Sequence, residues 1–226
     1  MTGYPTVMGE SDTLDLVLSG RSIARYGDGE FKVAAGRWIK SQDADAELAQ
    51  RLKDILIDSG DCLVGIPNIL SDTPKSKFWN AHLCYDRLLV DRSYVSAFVS
   101  RPDSAPWINA EEYWARIESL WRGRPVTLVR GSTKSLTGEL LVEHGSGPVT
   151  EVVSTRKNAW YEYSSLLKRI GTPDRALICL GPTATVMAVD LCAKGVHAID
   201  LGHLGMFYKK HLKGTLMVVT DEDKVA

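Results

Sequence analysis

The stretch ALICLGPTATVMAVDLCAKGVHAIDLGH, residues 176–203, decides the fold. Five apolar residues, Ala176 to Leu180, run straight into Gly181-Pro182, a helix-period segment continues to Ala193, and Gly195 follows. A second apolar run, 197–201, ends at Gly202-His203. Short apolar runs bounded by turn residues fit strands buried on both faces, proline in the first turn fits a helix start, and glycine past the last turn fits a helix stop. Strand, helix and strand within about thirty residues is the βαβ unit of a parallel sheet.

The alternation extends outward in the N-terminal direction. Runs rich in Val, Ile and Leu at 22–26, 62–66, 94–100, 126–130 and 150–154 bring the expected strands to seven. Between them, 47–57 places Leu48, Leu52, Ile55 and Leu56 on one helical face, with Asp43 or Asp45 as its cap. The segment 109–121 does the same with Trp114, Ile117, Leu120 and Trp121, and further helices fit 75–89 and 158–170. A leading helix fits Thr13 to Leu18, and Leu216 to Val219 reads as an edge strand or a docking arm. This pattern defines an α/β protein with an open, mostly parallel sheet of about seven strands and helices on both faces. No repeat, low-complexity tract or Gly/Ser linker separates two cores, so residues 1–226 read as a single domain.

Composition narrows the function classes. The 226 residues carry 27 Lys+Arg against 28 Asp+Glu, a net charge of −1, with 44% hydrophobic residues. Nothing in that balance resembles the dense basic surface that holds nucleic acid by counterion release, so no nucleic-acid partner is expected. Apolar stretches break well short of the ~18 residues of a membrane span, and the N-terminus lacks the charged-then-apolar order of a secretory leader. The expected setting is cytoplasmic. Cys62, Cys84, Cys179 and Cys192 have neither CxxC nor zinc-site spacing, and they read as reduced thiols on strands and apolar helix faces.

In open α/β sheets ligands bind beyond the carboxyl ends of the strands. Those ends are polar here: Gly27-Asp28-Gly29-Glu30, Arg101-Pro102-Asp103, Gly131-Ser132-Thr133-Lys134, Arg156-Lys157-Asn158, Gly181-Pro182-Thr183 and Gly202-His203. Cations, carboxylates and glycines converge on one rim. Asp28 and Glu30 flank a glycine, and paired hard carboxylates suit Mg2+ or Mn2+ with positions left open for diphosphate oxygens. The same residues also fit a Gly-Asp-Gly turn with a solvated Glu, or half a glycine-rich nucleotide loop that lacks its later glycine. The Gly181-Pro182-Thr183 turn opens a helix, where an anion meets free amides and the Thr183 hydroxyl, or where Thr183 simply caps the turn. His203 is the one histidine with a rim address; it reads as a base, a phosphate or metal partner, or a structural residue, with Asp200 orienting it or acting as a ligand itself. Trp38, Trp107 and Trp160 follow strands one, three and five, and one of them is expected to contact a ligand, the others to pack.

Taken together these motifs resemble the GT-D type glycosyltransferases, bacterial enzymes that use sugar nucleotides and have a Rossmann-like fold with an Asp-x-Glu metal motif. Arg25-Tyr26-Gly27-Asp28-Gly29-Glu30 is similar to that family's Arg-aromatic-Gly-Asp-Gly-Glu signature, and Ser100-Arg101-Pro102 to its Ser-Arg-Pro. Gly131 to Gly138, Lys157-Asn158-Ala159, Gly181-Pro182-Thr183-Ala184 and Ala198 to His203 resemble further elements in the same order. One departure follows Gly202-His203: family members often continue with acidic residues before an aromatic pair, whereas this chain has Leu204-Gly205-Met206-Phe207-Tyr208 and then the basic Lys209-Lys210.

The resemblance implies transfer of a sugar from a nucleotide diphosphate donor, in the family's known cases a UDP-sugar such as UDP-glucose, to a glycan or glycosylated protein. It implies Mn2+ or Mg2+ on Asp28 and Glu30. The donor site would be lined by Arg25, Gly27, Gly29, Arg101, Gly131, Lys134, Lys157, Asn158, Gly181, Thr183 and Asp200, with His203 as a candidate base. Metal and cations would stabilise the charge that develops on the leaving diphosphate. A metal-dependent phosphohydrolase of nucleotide diphosphate sugars, using water in place of an acceptor, and a non-catalytic nucleotide-binding module are the competing readings.

Overall fold

The computed structural model describes residues 4–69, 83–104, 109–131, 135–215 and 219. Seven strands form one sheet: β1 (Ile23–Arg25), β2 (Leu63–Ile66), β3 (Val95–Ser96), β4 (Val126–Arg130), β5 (Val149–Val153), β6 (Arg175–Cys179) and β7 (His197–Asp200). Their order is β3-β2-β1-β7-β6-β4-β5. Every pairing is parallel, so the sheet is wholly rather than mostly so. Side chains alternate between its faces as the pleat requires. Leu177 and Cys179 join one buried cluster, while Ala176, Ile178 and Leu180 join another.

On the first face lie α1 (Glu10–Leu18), α4 (Ala110–Glu118), α5 (Gly138–Glu143) and α8 (Leu204–Leu212), contributing Leu14, Trp114, Leu141 and Phe207 to one cluster. Against the other face pack α2 (Asp28–Ala34), α3 (Ala46–Ile57), α6 (Tyr163–Ile170) and α7 (Pro182–Cys192). Neighbouring strands β1 and β7 therefore send their following helices, α2 and α8, to opposite faces. That divergence opens a crevice at the strand ends, the topological switch point where α/β folds take their ligands.

Local chemistry explains where elements begin and end. Asp45 rather than Asp43 caps α3, its Oδ1 accepting from the Leu48 N–H at 2.9 Å. Asn109 caps α4 in the same manner. The run at 94–100 yields only two strand residues. Thr13 Oγ1 takes the Ser96 N–H at 3.0 Å, and Ser96 Oγ accepts from Phe98 N at 3.1 Å, so Ala97–Ser100 turns into a 3-10 helix. Likewise 158–170 divides into a 3-10 turn, Ala159–Glu162, and α6. Asn158 itself stays outside both, because its left-handed backbone (φ 61°) cannot belong to a helix.

Trp114 and Trp121 are buried as their helical stripe requires, both against Tyr208, with ring centroids 5.3 and 5.4 Å away. Cys62 and Cys179 are buried free thiols and Cys192 is half-buried. Of the helix expected at 75–89, the described part is a 3-10 helix, Leu83–Leu88; the remainder, with Trp107, Lys134, residues 216–218 and the Cys84 side chain, lies outside the described residues. Among the described residues no helix is long and apolar enough to cross a membrane.

Candidate functional site

The crevice is a cleft of about 1590 Å3, lined by the ends of β1, β6 and β7 and the turns that follow them. At the end of β1 the backbone of Gly27 is extended and α2 begins at once with Asp28. The Asp-x-Glu pair thus sits in the first turn of a helix, where the dipole and the unpaired amides favour carboxylates. Glu30 reaches back to accept the Gly27 N–H at 2.8 Å, and Asp28 holds Lys32 at 2.8 Å one turn on. Burial, with Asp200 and then Asp28 as like-charged neighbours, pushes the Glu30 carboxyl up to about 7, against the opposing pull of the Gly27 amide.

Arg25 and Asp200 belong to each other. From its buried position Arg25 donates Nε to the Asp200 carbonyl at 2.6 Å, Nη1 to the Ala97 carbonyl at 2.9 Å and Nη2 to Asp200 Oδ1 at 3.3 Å. Asp200 in turn accepts the Arg25 and Gly202 amides at 3.2 and 3.0 Å. Burial still holds the Asp200 carboxyl above its usual range, with Arg25 pulling the other way. These two expected donor residues form the floor of the cleft and stitch β1, β7 and the 97–100 turn together. Gly202 has to be glycine: its φ is +51°, and a Cβ there would run into the Arg25 guanidinium.

His203 stands just past β7, open to the cleft. Desolvation in the recess, helped by the Arg101 and Arg25 cations, lowers its ring to about 4 and keeps it neutral near pH 7. Arg101 projects into the same space, gripping Asp103 through a two-pronged pair at 2.8 and 3.0 Å and lying over the Phe207 ring at 5.6 Å. Beyond β6, Gly181 (φ +54°) turns the chain into α7 at the cleft wall. Gly131 is pressed against the Thr155 carbonyl, where a Cβ would approach to 2.8 Å.

Two expected donor residues lie elsewhere. Thr183 is fully buried, does not line the cleft, and has an unpartnered Oγ1. The neighbouring Thr185 is the one whose hydroxyl is used, donating to the Arg25 carbonyl at 2.9 Å. Thr183→Val, an isosteric change that removes a buried hydroxyl with no partner, is expected to leave stability unchanged or raise it by about 1 kcal/mol. Nucleotide affinity should not move; urea unfolding and calorimetry check both, and a tenfold weaker diphosphate would return Thr183 to the site. Asn158 is a brace. It exchanges two hydrogen bonds with Asp43, both at 2.8 Å, and donates its own amide to the Ser41 carbonyl at 2.9 Å. Lys157 does reach the cleft, tied to Asp43 at 3.0 Å.

What that brace holds was not legible as a site element. Residues 36–43 form a tight loop closed by reciprocal Ile39 and Gln42 backbone bonds at 2.8 and 3.1 Å. Ile39 lies 3.3 Å from where a Cβ on Gly29 would sit, and Ser41 Oγ 3.8 Å from that of Gly181. The loop therefore walls the cleft between two of its turns, and Trp38 stands exposed on it. The only signal was the clustering of Trp38, Lys40 and Ser41 after a strand. Trp160, by contrast, is buried in the core.

A parallel α/β sheet with acidic and cationic groups converging at its switch point has the arrangement in which open α/β folds bind their ligands. The chain belongs to the glycosyltransferase GT-D fold family, which it matches over residues 23–226. A curated relative, the probable glycosyl transferase Gly of Streptococcus gordonii, is 31% identical over 90% of this chain and 33% of its own length. Glycosyltransferase GlyD of Streptococcus pneumoniae serotype 4 is 30% identical over 90% of this chain and 27% of its own. The chain thus spans about a third or less of these relatives. A solved domain described as the highly conserved domain of unknown function 1792 with a distinct glycosyltransferase fold superposes with a TM-score of 0.86 at 31% identity, covering 96% of this chain and 85% of that one. A second, described as a new glycosyltransferase from Streptococcus sanguinis, gives 0.83 at 27% identity, covering 93% and 85%.

Proposed function

We propose that this protein transfers a sugar from a nucleotide diphosphate donor, a UDP-sugar such as UDP-glucose, to a glycan or glycosylated protein acceptor, with Mn2+ or Mg2+ held at Asp28 and Glu30. The observation that carries this reading is the meeting, at the β1/β7 crevice, of a carboxylate pair with Arg101, His203 and the α7 turn in one cleft of about 1590 Å3. That space exceeds the roughly 300–1,000 Å3 of a site for one small ligand. It leaves room for a donor and part of an acceptor.

The residues fit a hard divalent ion. Asp28 already holds one cation, the Lys32 ammonium, and the unfavourable environment of the Glu30 carboxylate is one that a divalent cation would relieve. Among the described residues no set of three or more His, Cys, Asp or Glu gathers as a metal centre, so two side chains would leave further positions to substrate oxygens and water. The metal, when bound, supplies Lewis acidity to the leaving diphosphate. Arg101 adds a fixed positive charge on the same side, oriented by Asp103 before any substrate arrives. The Gly181 turn presents the amide end of α7 to the phosphates. His203, neutral with a free lone pair, faces the acceptor hydroxyl. An arriving diphosphate offsets the repulsion from Arg101 and Arg25 and strengthens the imidazole as a base when it is needed.

The test is a panel of UDP-, GDP- and CDP-sugars with Mn2+, read by mass spectrometry for donor binding and slow donor hydrolysis. Binding of a nucleotide sugar with release of the free sugar supports the reading. Cleavage of the diphosphate to a nucleoside monophosphate and a sugar 1-phosphate in its place would favour a phosphohydrolase, and binding without turnover a nucleotide-binding module.

Metal affinity should also depend on pH in a definite direction. The metal needs Glu30 ionised, and a carboxyl near 7 must lose its proton to bind. Apparent Mn2+ affinity is expected to fall by about tenfold per pH unit below 7 and to level off above it. Calorimetry should show the dependence flattened in Glu30→Gln; an unchanged slope in that variant would assign the proton elsewhere.

A further inference from the structure

Trp38 combines three properties that do not ordinarily occur together. It is 71% exposed, the most exposed large hydrophobic side chain among the described residues. Among those residues no ring or cation stacks on it, and it lines the cleft. Yet its backbone is rigidly held. The Ile39–Gln42 turn closes the loop, Asn158 and Lys157 fasten Asp43 from the far half of the chain, and the Ile39 side chain rests on Gly29. A large apolar face kept in water by a braced loop beside a reaction cleft is a platform for a ligand.

Resting on the glycosyltransferase reading above, we infer that Trp38 is the acceptor platform, stacking the apolar face of an acceptor pyranose ring at the cleft mouth. The position distinguishes acceptor from donor. A donor must be enclosed so that water does not take the sugar, and its phosphates are directed to the floor near Asp28, Glu30 and Gly181. An acceptor glycan is longer than any cleft and has to leave it through the mouth. A side chain open to solvent on one side, and joined through Ile39 and Ser41 to turns that carry the metal-binding and phosphate-binding positions, suits a ring whose chain continues outward. A flat indole face recognises the carbon-bound hydrogens of a pyranose, so it fixes the ring's plane more than its identity.

The experiment titrates UDP with Mn2+, and then a panel of β-linked gluco-, galacto- and N-acetylglucosamine disaccharides into the UDP-saturated protein, by calorimetry and intrinsic fluorescence. Wild type is compared with Trp38→Ala, Trp38→Phe and Tyr161→Ala, the last an aromatic residue of similar exposure, 63%, that does not line the cleft. The expected result is a disaccharide affinity reduced about tenfold or more in Trp38→Ala, partly kept in Trp38→Phe and unchanged in Tyr161→Ala, with UDP affinity and melting temperature the same in all four. Loss of UDP affinity in Trp38→Ala with disaccharide binding intact would overturn the inference and give Trp38 to the nucleobase. Wild type that binds UDP but no disaccharide would also overturn it. Wild type that binds neither would instead bring down the glycosyltransferase reading, and the inference with it.

Discussion

Asp28→Asn and Glu30→Gln are each expected to reduce sugar transfer by about three orders of magnitude, the upper range for removing one preorganised stabiliser of developing charge. The fold should barely notice. Asp28 loses a part-exposed pair with Lys32, worth ~1 kcal/mol or less. Gln at position 30 retains a carbonyl oxygen to accept the Gly27 N–H that Glu30 accepts at 2.8 Å. Activity and melting temperature therefore separate: rate collapses while thermal unfolding stays nearly constant. Donor affinity measured with Mn2+ should fall in both variants, and the difference between Mn2+ and chelator should disappear. Wild-type rates in both variants with chelator present would remove the carboxylates and the metal from the mechanism together.

The second large effect is on stability. Arg25→Met removes the cation from a pair whose side chains are 9% and 4% exposed, leaving the Asp200 carboxylate and the Ala97 carbonyl buried without it. Breaking a buried pair in this way costs about 3–5 kcal/mol, measurable as a lower urea midpoint. The Arg25→Met/Asp200→Leu double variant should be less destabilised than the sum of its single changes, because the stranded charge is gone. A cost for Arg25→Met below about 1 kcal/mol would mean that water reaches Asp200 and that the cleft floor is not dry.

The sheet was legible because burial on both faces writes apolar runs such as Ala176 to Leu180 directly into the sequence. Strand ends were legible for a related reason, since polar residues collect where the sheet stops and ligands bind. The α2 helix was not. Gly27-Asp28-Gly29-Glu30 reads as a loop, and only the Glu30 side chain returning to the Gly27 amide turns it into a helical first turn. Thr183 misled for the opposite reason. Its position beside a helix N-terminus promised a phosphate contact, but its side chain is buried with an unpartnered hydroxyl, while the Thr185 hydroxyl bonds internally to the Arg25 carbonyl. Asn158 belongs to a stretch read by its resemblance to a family motif, yet the bonds it makes hold residues 41–43, a contact 115 residues away in sequence that no local pattern could express.

The bond between Arg25 and Asp200 joins residues 175 positions apart. On a growing chain the first strand emerges long before its neighbour β7 exists, and β2 alone can pair with it. Until β7 (His197–Asp200) has been synthesised, Arg25 lacks the Asp200 carboxylate and the crevice has only one wall. Assembly by such distant pairing is slow compared with helix formation. A ribosome-bound or C-terminally shortened chain would consequently carry both acidic residues without the closed crevice that the proposed sugar transfer needs. Competence arrives in one step, when β7 docks, and never in partial form before it.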